Sequence, residues 1–317
     1  MIDAEKIRSL WQRIWFEPTS PAPFCIYRIA FGAILLLATA SKLFDINLWY
    51  SSNGIISVAT AKQFAGPNSL SLFFLIEPTS QVVLISMLVL MLASVTLSIG
   101  YKTRLSAFLV WFLALSLNNR NQAILNCGDI FTQISALLLV LGPAGAMYSV
   151  DSWNKKHSSA NRESERDATD EIKTIQGDND KVLCEPWAQR LLQVQIAAVY
   201  VAGFFWKYGA SWWNGTATYY AMNTKAYVLW KTPYIFDQLW TIQLTTWSTL
   251  AIEFSLFTLI WIRELRPWVL LAGLALHIGL LFTMNFAFLQ LLMIASYINF
   301  LSPATVEKFA GKLRLQI

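Results

Sequence analysis

Long stretches of apolar residues dominate this chain, separated by short polar or basic turns. A hydrocarbon core about 30 Å thick takes roughly 17–25 helical residues to cross, and the apolar runs approach or reach that length. The first runs from about Phe24 to Phe44, the second from Gln81 to Tyr101. Lys102-Thr103-Arg104 leads tightly into a third, Leu105–Leu117, which is short enough that its helix should extend into Asn118–Gln122. The fourth is Ala123–Met147 and the fifth Ala188–Tyr208. Thr241–Ile262, Trp268–Phe282 and Phe286–Leu301 follow, with a basic turn at Arg263–Pro267 and a break at Met284-Asn285. The pattern predicts an all-α protein, a polytopic membrane helical bundle of about eight transmembrane helices.

The segments between the runs are of different kinds. Residues 1–22 hold Lys6, Arg8, Arg13, Trp11 and Trp15, and the helical spacing of Leu10, Ile14 and the tryptophans reads as an interfacial amphipathic segment. Residues 45–79 hold Gly54, Gly66, Pro67 and Pro78, so they read as loop with one short helix across Val58–Phe64. Residues 150–186 are crowded with Lys, Arg, Glu, Asp and Ser and nearly free of bulky apolar side chains, which predicts a disordered or weakly helical loop. Residues 209–240 form a second long connection rich in Trp, Tyr, Thr and Asn.

Composition agrees with the pattern. Of 317 residues, 56% are hydrophobic and 14% charged. A soluble domain carries roughly 25% charged residues, so too little charge is present to coat a soluble surface. The net charge of +5 does not indicate nucleic acid, because the basic residues are divided among short loops. Their division writes a topology. With the N-terminus in the cytoplasm, 17 Lys and Arg fall on the cytoplasmic side and 6 outside (Lys42, Lys62, Arg120, Lys207, Lys225, Lys231), with Arg28 inside the first run. Both termini are therefore expected in the cytoplasm of a cell-membrane protein. The first apolar run begins too late, and lacks a convincing cleavage site, for a removable signal peptide. Cys25, Cys127 and Cys184 show no metal or redox spacing, and Cys25 and Cys127 are expected to pack as small apolar side chains. Two histidines and the lack of a Gly-rich phosphate loop leave nothing on which to build a metal, nuclease or nucleotide site.

Polar residues at membrane depth carry the candidate chemistry, since a charge in hydrocarbon costs roughly 2.5–3.5 kcal/mol on insertion scales. Arg28, Arg120, Asp129, Lys207, Glu253 and His277 lie in or at the ends of runs. Each must find a partner or a wet cavity. On the derived topology, Arg120, Lys207 and Asn285 lie toward the outer face, with Asn126, Asp129 and His277 further in. One outward-opening cavity lined by Arg120, Asn126, Asp129, Lys207, Trp212, Glu253, His277 and Asn285 is the expectation. Lys207 follows Phe204-Phe205-Trp206 and precedes Tyr208 and Trp212-Trp213. It reads either as an interfacial lysine in an aromatic belt or as a desolvated amine fit to act as a general base.

Several segments together resemble a known family. They are Gly100–Ser106 (Gly-Tyr-Lys-Thr-Arg-Leu-Ser), Asn119–Asp129 (Asn-Arg-Asn-Gln-Ala-Ile-Leu-Asn-Cys-Gly-Asp), Gly142-Pro143 and Ser149-Val150-Asp151. Gln195 with Tyr200, Gly203 with Lys207, Trp212 and Gly215, Trp247 with Glu253, and His277 continue the series. From Arg28 to Pro303 the chain resembles the HTTM (horizontally transferred transmembrane) domain family, related to the membrane module of vitamin K-dependent γ-carboxylase. The resemblance implies an HTTM-like transmembrane domain over 1–303, with the polar loop 150–186 cytoplasmic, and a cytoplasmic tail over 304–317. In the carboxylases a lysine followed by Trp five residues on and Gly eight residues on deprotonates vitamin K hydroquinone. Lys207, Trp212 and Gly215 match that spacing, and His277 is similar to a histidine of the same module. A quinol substrate or cofactor, with Lys207 and His277 catalytic, is what this implies. The chain departs from the carboxylases in ending after its last apolar run, without their extramembrane substrate-holding region, and in having Trp206 before the lysine. Other relatives serve the maturation or export of secreted peptides. A quinol-linked or peptide-modifying enzyme and a non-enzymatic component for maturation, export or assembly of a secreted peptide therefore both stand. A transporter is disfavoured, since no inverted repeat is evident.

Overall fold

The computed structural model describes residues 4–167, 182–230 and 233–312, and within them helices form the architecture with no strand beyond two isolated backbone bridges. In chain order the α-helices are α1 (Ala4–Phe16), α2 (Ala22–Lys42), α3 (Val58–Ala65), α4 (Leu72–Leu75), α5 (Ser80–Ile99), α6 (Thr103–Arg120), α7 (Cys127–Leu141) and α8 (Val150–Asp167). They continue with α9 (Trp187–Trp206), α10 (Ala210–Trp213), α11 (Ala217–Asn223), α12 (Leu239–Phe257), α13 (Arg266–Thr283), α14 (Ala287–Ser296) and α15 (Pro303–Lys312). All eight apolar runs are helical, as α2, α5, α6, α7, α9, α12, α13 and α14. Three helical stretches are long and apolar enough to cross a membrane: α2 continued through Tyr50, α5 and α13. A fourth follows if α14, with its 3-10 extension to Phe300, is taken together with α15 across a bend of 115°.

The helix boundaries follow local chemistry. Thr79 Oγ1 accepts from Val82 N to open α5, and Gly100 in the left-handed region (φ 74°) closes it. Ser57 Oγ accepts from Thr60 N at the start of α3. The apolar character of α5 runs all round it. Val83, Met87, Leu90 and Leu97 are buried, while Leu84, Ile85, Leu88, Val89, Leu92, Val95 and Ile99 are exposed. A helix apolar on every face belongs in a core or a bilayer, and here half of it has no protein against it.

Three expectations change. The fourth run is helical only over Cys127–Leu141, because Pro143 disfavours helix at the residue before it and Asn126 caps the start. Cys127 is exposed rather than packed, as the first residue of α7, whereas Cys25 is buried. The segment 150–186, expected as a disordered or weakly helical loop, is a continuous helix over α8. Ser149 Oγ accepts from Ser152 N at 2.9 Å, and Asp151 stands in the first turn, where a carboxylate favours a helix. Residues 168–181 of that loop lie outside the described residues. The tail includes α15, which buries Val306 and Ala310 and packs on α2.

The chain forms two compact units, residues 1–191 with 301–317 and residues 192–300. In the first, α2 packs on α5, α5 on α6 and α6 on α7. A buried arginine ties its turns. Arg28 Nη1 donates to Ala144 O at 2.7 Å, and Nη2 donates to Tyr148 O. Asp151 accepts from the backbone amides of Lys102 (2.8 Å) and Thr103 (2.7 Å), so a carboxylate brought in from α8 caps α6. The second unit holds α10 to α14 and the greater part of α9; α11 and α13 both pack on α12, and α13 on α14.

Candidate functional site

The candidate site of the second unit is built on one face of α9. Gln193, Tyr200 and Lys207 recur every seven residues, two helical turns apart, so they share that face, and Gly203 lies between the last two. Lys207 stands just past the end of α9. Its Nζ donates to Gly203 O at 3.0 Å and to the Glu253 carboxylate at 2.9 Å (Oε1) and 2.7 Å (Oε2). An ammonium has three hydrogens to donate, so all three are placed. The same nitrogen sits 5.1 Å from the Trp212 ring centroid, in cation–π range. The Lys207 and Glu253 side chains are 18% and 13% exposed, enough burial to strengthen the pair over a surface one.

The surrounding backbone explains how Trp212 gets there. Trp212 N donates to Gly209 O, and the chain then reverses through Gly215 at φ 81°, where a Cβ would meet Gln243 Cγ at 2.8 Å and the Trp247 ring at 3.0 Å. The Trp–Gly spacing read from the sequence thus has a local physical basis: Gly215 lets the loop lie on α12. Trp247 Nε1 donates back to Trp213 O at 3.3 Å. Phe204 and Phe205 of α9 meet Phe254 and Phe257 of α12, an aromatic wall next to the ion pair.

A second cluster lies deeper in the same unit. His277 is buried on α13. Its Nδ1 is 2.5 Å from Gln290 Oε1 of α14, and its Nε2 is 2.6 Å from the Tyr200 hydroxyl. The Tyr200 hydroxyl is also 2.6 Å from that of Tyr297. Gly273, one turn before His277, leaves room for Tyr297, whose hydroxyl lies 2.6 Å from where a Cβ would stand.

The expected cavity residues fall in both units. Lys207, Trp212 and Glu253 meet directly. His277 joins tyrosines instead. Asn285 is exposed and pairs through its backbone amide with Tyr227 O at 2.7 Å. In the first unit, Asp129 bonds Lys42 Nζ at 3.0 Å, and Asn126 and Asp129 form a reciprocal cap on α7. They serve a helix end, where four amides need acceptors, rather than a mid-span polar face. Arg120 is fully buried at the end of α6 and donates to Ser51 O (2.5 Å) and Ile56 O (2.8 Å).

No family model, curated protein or solved structure matches the chain. Tyr200 entered the sequence reading only as a motif residue, and Gln290 and Tyr297 did not enter it. The available signal was periodicity: Gln193, Tyr200 and Lys207 on one helix, and Gln290 and Tyr297 on the next-to-last element, each spaced by seven in otherwise apolar runs.

Proposed function

We propose that the chain is an HTTM-like integral membrane protein of about eight spans, with both termini cytoplasmic, that takes a proton from a lipid-soluble quinol by means of Lys207. The observation that carries this reading is the Lys207 amine, held between the Glu253 carboxylate and the Trp212 ring beside a wall of phenylalanines. A base needs a lone pair, and Glu253, at 2.7 Å, is placed to take the ammonium proton and so expose one. The flat indole and phenyl faces suit an aromatic ring arriving from the bilayer. The apolar outward faces of α5 and of the other membrane-length helices support insertion, and the distribution of basic residues supports the orientation.

The test is a hydroquinone added to the protein in lipid nanodiscs, with the quinolate followed by its absorbance. Lys207→Arg keeps the charge but not an accessible neutral form, so the quinolate yield is expected to fall about 100-fold or more, within the usual range for general-base loss, at unchanged membrane abundance. Lys207→Ala should behave alike. Full yield from the Arg variant overturns the general-base reading. Reporter fusions at Asn161 and at the C-terminus should read cytoplasmic and one at Asn223 external; an external signal at Asn161 overturns the orientation.

One observation favours the second reading, a non-enzymatic component in maturation, export or assembly of a secreted peptide. Every Lys207 hydrogen already has a protein acceptor, as a structural anchor requires. That reading expects no quinolate and full biological output from Lys207→Arg.

A further inference from the structure

Three segments singled out in the sequence take no part in the Lys207 site, and in the first unit they meet. Lys102 and Arg104 at the turn into α6, Gly142 and Pro143 after α7, and Asp151 at the start of α8 line one open cavity of about 480 Å³. That volume lies within the roughly 300–1,000 Å³ of ordinary ligand pockets. Asp151 is the acid of this lining, and both its oxygens are taken up. Oδ1 accepts from Lys102 N at 2.8 Å, and Oδ2 accepts from Thr103 N and Thr103 Oγ1, each at 2.7 Å. The start of α6 is thus capped from within the fold, and the charge left over is that of side chains. Lys102 and Arg104 are exposed, and among the described residues neither lies within salt-bridge distance of a carboxylate. A third cation stands outside the lining: buried Arg28 donates to Ala144 O at 2.7 Å, between the lining residues Pro143 and Gly145. Three cations therefore gather at the cavity against one carboxylate.

Two exposed apolar columns begin at the same place. On α6, Leu105 lines the cavity and Phe108 follows one turn on. On α7, Leu141 adjoins the lining residue Gly142, and Leu137 lies one turn before it. A ligand that matches both parts carries a negative charge at one end and hydrocarbon at the other. We propose that the cavity binds the phosphate headgroup of an anionic phospholipid, with the acyl chains lying along the outward faces of α6 and α7.

Each lining group has a part in this. Arg104 supplies a planar fork that matches phosphate oxygens, and Lys102 a compact point charge. Gly142 and Gly145 keep the space open: a Cβ at Gly145 would stand 2.7 Å from Thr103 Oγ1, and one at Gly142 would stand 2.6 Å from Ala188 Cβ. Arg28 fixes the 143–145 wall through Ala144 O. The orientation proposed above puts the cavity at the cytoplasmic leaflet, whose surface potential is negative and where basic pockets between helices take anionic headgroups. A free phosphate would use the two cations but leave the columns of α6 and α7 without a partner, so the lipid is the better match.

This inference rests on the proposed insertion of α6 and α7 in the bilayer and not on the quinol chemistry. Full-length protein is placed in micelles holding equal amounts of phosphatidylglycerol and phosphatidylcholine, and the retained lipid is read by native mass spectrometry. Phosphatidylglycerol is expected to be retained in clear preference. Lys102→Gln and Arg104→Gln should each weaken its retention about 5-fold and the double variant about 30-fold, the worth of one and of two interfacial charges. Lys308→Gln removes an exposed charge from α15, which is joined to the start of α2 through Ser20 and Glu307, and should leave retention unchanged. Equal retention of the two lipids would overturn the proposal. So would an equal loss from Lys308→Gln, which marks attraction to the basic surface as a whole. Displacement of the lipid by a large excess of inorganic phosphate would overturn it in favour of a free phosphate. Release of the protein from membranes by alkaline carbonate would overturn insertion itself, and the lipid site with it.

Discussion

The two units differ in how they handle most polar groups inside apolar sequence. In the first, charged side chains mainly serve the backbone, the Lys42–Asp129 pair being the exception. Arg28 and Arg120 donate to carbonyls of loops, Asp151 accepts amides at the start of α6, and Asn126 with Asp129 caps α7. In the second, side chains mainly serve one another, Arg266 on the carbonyl of Ile260 being the exception. Lys207 meets Glu253, His277 meets Gln290 and Tyr200, and Tyr200 meets Tyr297. Groups that satisfy backbone are locked, because moving them leaves a helix end or turn without its partners. Groups that satisfy one another can exchange protons among themselves without disturbing the helices that carry them. The first arrangement is suited to stability and the second to chemistry.

Substitutions can break this contrast. The largest effect is expected at Gly100. An alanine there would hold φ 74° at about 1–2 kcal/mol, and its Cβ would lie 2.3 Å from Ser149 Cβ and 2.8 Å from Arg28 Nη1, adding roughly 1–3 kcal/mol of overpacking. Gly100→Ala should cut membrane yield sharply and lower Tm more than any change in the second unit described below. Asp151→Ala removes three acceptor contacts at α6 and should cost about 2 kcal/mol, seen as a lower Tm. Tyr200→Phe sharpens the contrast from the other side. It should cost only about 1 kcal/mol, the usual net worth of a hydrogen bond. A Tm drop from Tyr200→Phe as large as that from Gly100→Ala would show the second unit's cluster to be a structural clamp. The smallest effect is expected at Cys184. Its pairing with Thr19 is made by two backbone hydrogen bonds of 2.9 Å, so Cys184→Ala should stay within about 0.5 kcal/mol of wild type.

The helices were legible because length and apolar continuity are one-dimensional properties: α2, α5 and α13 begin and end within a few residues of the expected runs. The ends were less legible where a distant residue does the capping. Nothing near Thr103 announces that Asp151 will accept its amide, and Asp129 looked like a buried mid-span acid because the start of α7 depends on Asn126. The site divides similarly. The sequence singled out Lys207, Trp212, Glu253 and His277, and the structure joins the first three. It did not expose the His277 partners, since Tyr and Gln in apolar helices carry no charge to mark them and become a cluster only when α9, α13 and α14 are side by side. Both acids at membrane depth find lysine partners, Asp129 with Lys42 and Glu253 with Lys207.

The Asp151 cap also sets an order of assembly during synthesis. The amides it accepts belong to Lys102 and Thr103, 49 and 48 residues earlier in the chain, and Arg28 waits 116 residues for the carbonyl of Ala144. At about 5–20 residues per second, the α5–α6 hairpin leaves the ribosome several seconds before its own fastening exists. During that interval water must satisfy the start of α6, and the hairpin is held by apolar contact and by the Ser106 hydroxyl, which donates to Thr96 Oγ1 and to Tyr101 O. A ribosome stalled before Asp151 would therefore present a turn open to protease, and one stalled well beyond α8 would present it closed.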